Sequence, residues 1–153
     1  MGRPKGVLGV EWGDTLEEAA ARLGVACADK SEWEGGQGFE TCRDSEHTVA
    51  AFGSQAFVRL IGKGGKLEGV ELSFRECGDW GRMRDTVREE FGLSTESETD
   101  AYQTFWRGEA VRLIRTNAGE GCLLTVAGPR FGRAYSAFTL AQGFGALGGG
   151  TRP

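Results

Sequence analysis

Four cysteines, Cys27, Cys42, Cys77 and Cys122, and one histidine, His47, hold most of the chemical capacity of this 153-residue chain. A thiolate is a nucleophile, and an imidazole that titrates near neutrality can activate one. Cys42 and His47 fall on segments that read as neighbouring strands, so a thiol–base pair is one reading. Cys77 stands just ahead of a helix start, where a thiolate is stabilised. Yet no Gly-x-Ser-x-Gly elbow accompanies His47, and a lone histidine in a strand is ordinary sheet surface. No catalytic residue is assigned.

The other use of four cysteines is oxidation, which permits three pairings. Cys27–Cys42 would staple the loop after the first helix, and Cys77–Cys122 would tie the second helix entry to a late strand. The segment between Cys27 and Cys42 is polar and Gly-rich, with little apolar surface to hold it, which favours a bridge there. Four buried thiols in a cytosolic core are the alternative. Zinc is disfavoured because the cysteines lack the short C-x₂₋₄-C knuckle, so no metal site and no cofactor is expected.

The remaining charged groups exclude more than they propose. Net charge is −4, with the acid excess before Cys77. Arg130 and Arg133, interleaved with Phe131 and Tyr135, are the nearest approach to a basic-aromatic patch, too sparse for a nucleic-acid surface. Gly62-Lys63-Gly64-Gly65 lacks the Lys-Ser/Thr and following helix of a phosphate loop. Glu17/Glu18 and Glu89/Glu90 belong to solvated helix faces. No apolar run approaches the ~18 residues that cross a bilayer. No h-region follows Met1-Gly2-Arg3-Pro4-Lys5, which leaves either a cytoplasmic chain or an exported one whose leader lies outside this sequence.

The elements that would position these groups follow a pattern that nearly repeats. Val7–Trp12 reads as a strand. Asp14 or Thr15 then caps a helix, with Leu16, Ala19, Ala20 and Leu23 on one face and Gly24 as its stop. Residues 26–37 read as a loop. Strands are expected at about 38–43, 47–53, 55–62 and 66–75, the last two joined by a Gly-rich hairpin turn. Gly78-Asp79-Trp80 opens a second helix to Phe91, striped by Trp80, Met83, Val87 and Phe91. A loop at 94–100 precedes strands at about 102–107, 109–116 and 121–127, with tight turns at Gly108 and Asn117–Gly121. After Gly128-Pro129 the apolar residues show no sustained period, so 128–153 reads as a C-terminal arm ending in a flexible Gly148-Gly149-Gly150 tail. The expected fold is therefore α+β, a single domain over 1–127 made of two pseudo-repeated helix-plus-hairpin halves (about 7–76 and 77–127). Their helices should pack on one face of an antiparallel sheet.

Four Trp and nine Phe are many for this length. Trp12 and Trp80 adjoin helix starts and read as core. Trp33 and Phe39 lie in the most polar region, where burial is hard to arrange, and an aromatic on a Gly-rich loop is the usual material of a protein-contact hot spot. Packing over the loop's own disulfide is the competing reading.

The phrase Gly9-Val10-Glu11-Trp12-Gly13-Asp14-Thr15-Leu16-Glu17-Glu18-Ala19 resembles the opening of many small exported bacterial domains. The layout, with Lys66-Leu67-Glu68-Gly69-Val70 feeding a strand, is similar to BamE/SmpA-like lipoproteins and the tandem β-lactamase-inhibitor-like fold. That resemblance implies helices on one face of an antiparallel sheet, an envelope or secreted location, and protein binding without catalysis. The expected function is thus a non-enzymatic, extracytoplasmic protein-interaction module, binding another protein through the open sheet face or through Trp33 and Phe39. The rivals are a cytosolic thiol-dependent enzyme or redox protein using Cys42/His47 or Cys77, and a cytosolic immunity-type or adaptor protein.

Overall fold

The computed structural model describes residues 4–92, 97–100, 103–106, 110–116 and 120–141. The chain enters through a hairpin, β1 (Gly6–Val7) and β2 (Val10–Glu11), turned by Leu8 and Gly9 at positive φ. This replaces the single strand expected over Val7–Trp12. Helix α1 (Leu16–Leu23) follows, closed by a full capping box: the Thr15 hydroxyl accepts from Glu18 N, and Thr15 N donates to the Glu18 carboxylate, both at 3.0 Å. Gly24 ends it at φ 74°, the left-handed turn that glycine takes without strain. Helix α2 (Trp80–Phe91) is capped by Asp79 and ends at Gly92 in the same way.

Among the described residues, nine strands form one antiparallel sheet. They are β3 (Asp29–Glu32), β4 (Glu40–Arg43), β5 (Val49–Ala51), β6 (Ser54–Lys63), β7 (Lys66–Phe74), β8 (Ser97–Asp100), β9 (Gln103–Trp106), β10 (Val111–Thr116) and β11 (Gly121–Ala127). Their order is β3-β4-β6-β7-β11-β10-β9-β8, with β5 paired to β6 off this path. The loop expected over 26–37 contains β3, and the loop expected over 94–100 contains β8. The expected turn at Gly108 and most of that at 117–121 lie outside the described residues. The 128–153 arm begins as a helix, α3 (Pro129–Ala141), and the Gly148–Gly150 tail lies outside the described residues.

Strand alternation gives the sheet two different faces. On one, Val58 and Leu60 of β6, Val70 and Leu72 of β7, and Leu124 and Val126 of β11 meet Leu16, Ala19 and Ala20 of α1 and Met83 and Val87 of α2. On the other, Ile61 and Ala127 meet Phe131, Ala134 and Tyr135 of α3 together with Trp33 and Phe39. Each fully buried large side chain there contributes about 1.5–3 kcal/mol.

The expected α+β layout, two repeated helix-plus-hairpin halves with helices on one face, does not form. Among the described residues, all strands outside the entry hairpin belong to one continuous sheet, and α3 lies across β7 and β11 on the face opposite α1 and α2. Among the described residues, only the first half carries an entry hairpin and the extra strand β5. The physical reason lies at Ile61, Gly69 and Ala127, a row of paired positions on adjacent strands that face away from α1 and α2 and are covered by Phe131 of α3. Glycine at 69 makes the contact with α3 possible: a Cβ there would stand 2.6 Å from the Phe131 ring.

Candidate functional site

Both expected disulfides are present. Cys27–Cys42 joins the segment after α1 to β4 with Cα atoms 5.0 Å apart, and Cys77–Cys122 joins the entry of α2 to β11 at 5.7 Å. No cysteine is free, so neither Cys42 beside His47 nor Cys77 offers a thiol. His47 stands in the turn before β5, with its Nδ1 2.8 Å from the Asp44 carboxylate. Asp44 is 5% exposed and also accepts from the backbone N–H groups of Ala26, Glu46 and His47. Those N–H donors, Ala26 first, hold its carboxyl well below the usual range, against the pull of burial. The ionised carboxylate requires the proton on Nδ1, and no hydroxyl or thiol among the described residues bonds the other ring nitrogen. The pair is a structured turn and not a nucleophile-activating couple. Among the described residues no group of three His, Cys, Asp or Glu side chains is arranged to hold a metal ion. No helix among them is long and apolar enough to cross a membrane.

Trp33 and Phe39, read from sequence as loop aromatics open to a partner, are each 3% exposed. Trp33 packs on Phe39, Phe131 and Phe138, with ring centroids 5.8, 5.0 and 5.2 Å apart. The loop holding them is covered by α3, not by its own disulfide. Nothing in the polar 26–37 stretch signals this cover. The signal sits a hundred residues on, where Phe131, Ala134, Tyr135 and Phe138 recur at helical spacing behind Pro129, a residue suited to a first helical turn.

With Trp33 and Phe39 covered, the accessible ground is the rest of the same sheet face. Across the strands, one row of paired residues runs Arg43, Arg59, Glu71, Thr125, Arg112. Its far end is closed by α3, where Arg112 donates to the Tyr135 hydroxyl at 2.7 Å and that hydroxyl reaches Thr125 at 3.4 Å. The next row, Phe57, Ser73, Leu123, Ile114, meets no helix residue of the α3 cluster. Ser73 is exposed there, while Phe57, Leu123 and Ile114 are half-buried.

Arg59 is the centre of this surface. It is 8% exposed, and its guanidinium donates twice to Glu71 (2.9 and 2.8 Å) and twice to Glu34 (2.8 and 3.0 Å). Burial works against its charge, but the two carboxylates outweigh that and raise its pKa. The hydrogen bonds from Arg59 hold the Glu34 carboxyl below its ordinary value, with Arg43 adding to the effect at longer range. Sequence reasoning missed this cluster, although an arginine inside the apolar run Phe57-Val58-Arg59-Leu60-Ile61 was its visible sign. A cleft of about 250 Å³ opens beside it, lined by Arg43, Phe57, Glu71, Ser73 and Arg75 among others.

No protein-family model matches this chain, and no curated protein or solved structure matches it.

Proposed function

We propose that this chain is a non-catalytic, extracytoplasmic module that binds another protein on the part of the sheet face left open beside α3. The observation that carries the reading is the row Phe57, Ser73, Leu123, Ile114, three half-buried apolar side chains around an exposed serine. An apolar centre edged by arginines is the composition of a docking patch, in which a few anchors carry most of the energy. Two disulfides support an oxidising compartment, because such bridges are rare in the reducing cytosol.

The test is site-specific photo-crosslinking in the native host. A crosslinking residue at Ser73 captures a discrete partner, the same residue at Glu17 on α1 does not, and Phe57→Glu abolishes capture while the protein stays folded at the assay temperature by circular dichroism. Equal capture from both positions, or none from Ser73, overturns the proposed surface.

A further inference from the structure

Arg59 holds two carboxylates of different standing. Glu71 is its directly paired cross-strand neighbour, and its side chain is 17% exposed. Glu34 comes from the β3–β4 turn, and its side chain is 53% exposed. That turn passes through Gly36, Gln37 and Gly38, all at positive φ (73°, 58° and 82°). Glu71 is part of the sheet, whereas Glu34 reaches in over Arg59 from outside it.

Two more guanidinium groups edge the same cleft. Arg43 and Arg75 are exposed, and among the described residues neither has a carboxylate within ion-pair distance. Arg75 lies over the Phe57 ring, 5.2 Å from its centroid, which fixes one cation beside the apolar row. Arg59 and Arg43 thus both act on the solvent-reachable Glu34 carboxylate, and Arg75 lines the same cleft as these two arginines. Planar, bidentate Arg–carboxylate pairing is strong and geometrically selective.

Resting on the docking-face reading above, we infer that this cleft recognises an acidic side chain of the partner protein, which replaces Glu34 on Arg59. Exchange of one carboxylate for another leaves the local charge unchanged. A phosphate would bring a second negative charge against Glu71 and Asp44, which both remain in place. While Glu34 occupies Arg59 it competes with the incoming group, and the apparent affinity falls by the fraction of time the site is filled.

The probe is a fluorescein-labelled octapeptide of alternating Glu and Leu, with Gln replacing Glu in the control peptide. The acidic peptide binds and shifts backbone resonances of β6 and β7, while the control does not. Glu34→Gln tightens binding by roughly five- to tenfold, as expected if Glu34 fills the site most of the time. This variant keeps the Arg59–Glu71 pair, and an unchanged circular-dichroism spectrum at the assay temperature verifies its fold. Arg43→Glu with Arg75→Glu abolishes binding.

Unchanged or weaker binding by Glu34→Gln overturns the inference. So does tighter binding of phosphatidylglycerol vesicles or an oligothymidylate than of the peptide, with the same arginine dependence. If Phe57→Glu stops crosslinking but charge reversal at Arg43 and Arg75 does not, the docking face stands and acidic recognition falls. If Phe57→Glu leaves crosslinking intact, the docking face itself falls.

Discussion

Asp44 shows how much one side chain can organise locally. Its two oxygens accept from three backbone N–H groups and an imidazole, fixing the turn that carries the chain from β4 toward β5. Because these contacts favour the ionised form, its folded pKa lies below the unfolded value, about 3.9. The resulting stabilisation is complete above that value and is lost as pH falls through the lower, folded pKa. Glu34 has the same sign, for the reason given by Arg59. Asp44→Ala should therefore lower the melting temperature at pH 7, and its gap from the parent protein should narrow below about pH 4. A gap that is constant from pH 7 down to pH 2 would refute this linkage. The sequence reading began a strand at His47, over about 47–53, because the turn chemistry of Asp44-Ser45-Glu46 went unread; the strand starts at Val49.

At the scale of elements, the disulfides act where burial is weakest. All four residues of β3 are exposed and charged or polar, so this edge strand has little apolar surface of its own. Cys27–Cys42 closes a separation of 15 residues and Cys77–Cys122 one of 45. Loop-closure entropy puts their contributions at about 3 and about 4 kcal/mol. Urea unfolding of Cys27→Ser/Cys42→Ser and of Cys77→Ser/Cys122→Ser should show losses in that order. Equal parent and double-mutant midpoints would deny the bridges a stabilising role. Alkylation of natively purified protein under denaturing conditions should modify no cysteine before reduction and four after it. Four modified without reduction would remove the support for an oxidising compartment. The helices α1 and α2 were readable to within a residue because their caps and stops are local, as was the β6–β7 hairpin with Gly64 and Gly65 at positive φ.

The whole molecule is tied together by α3. Phe131 and Phe138 close over Trp33, Tyr135 bonds Arg112 of β10, and Arg130 pairs with Glu68 of β7. A loop near the start, a central strand and a late strand therefore share one helix. Trp33→Ala should cost about 3–5 kcal/mol, the range for emptying a large aromatic site in a core. It should also speed hydrogen exchange in α3, although the substitution lies far from it in sequence. Unchanged stability with intact α3 protection would show that the cluster is not cohesive. The sequence expectation was a partner contact at Trp33 and Phe39, whereas both are buried in this cluster.

What the sequence by itself determined was whatever depends on neighbours within a few residues: the capped helices α1 and α2, the glycine hairpin, and the alternation of Val70, Leu72 and Phe74. It also supplied cysteines at the two separations the bridges use. Only the tertiary structure decided which face each helix covers, that Trp33 is core, and that Arg59 meets Glu34 and Glu71. The reason is physical. A strand residue's alternation says which side it shares with its neighbours, but not what will cover that side. At Gly69 the cover is a ring from residue 131, a partner that no local pattern could name.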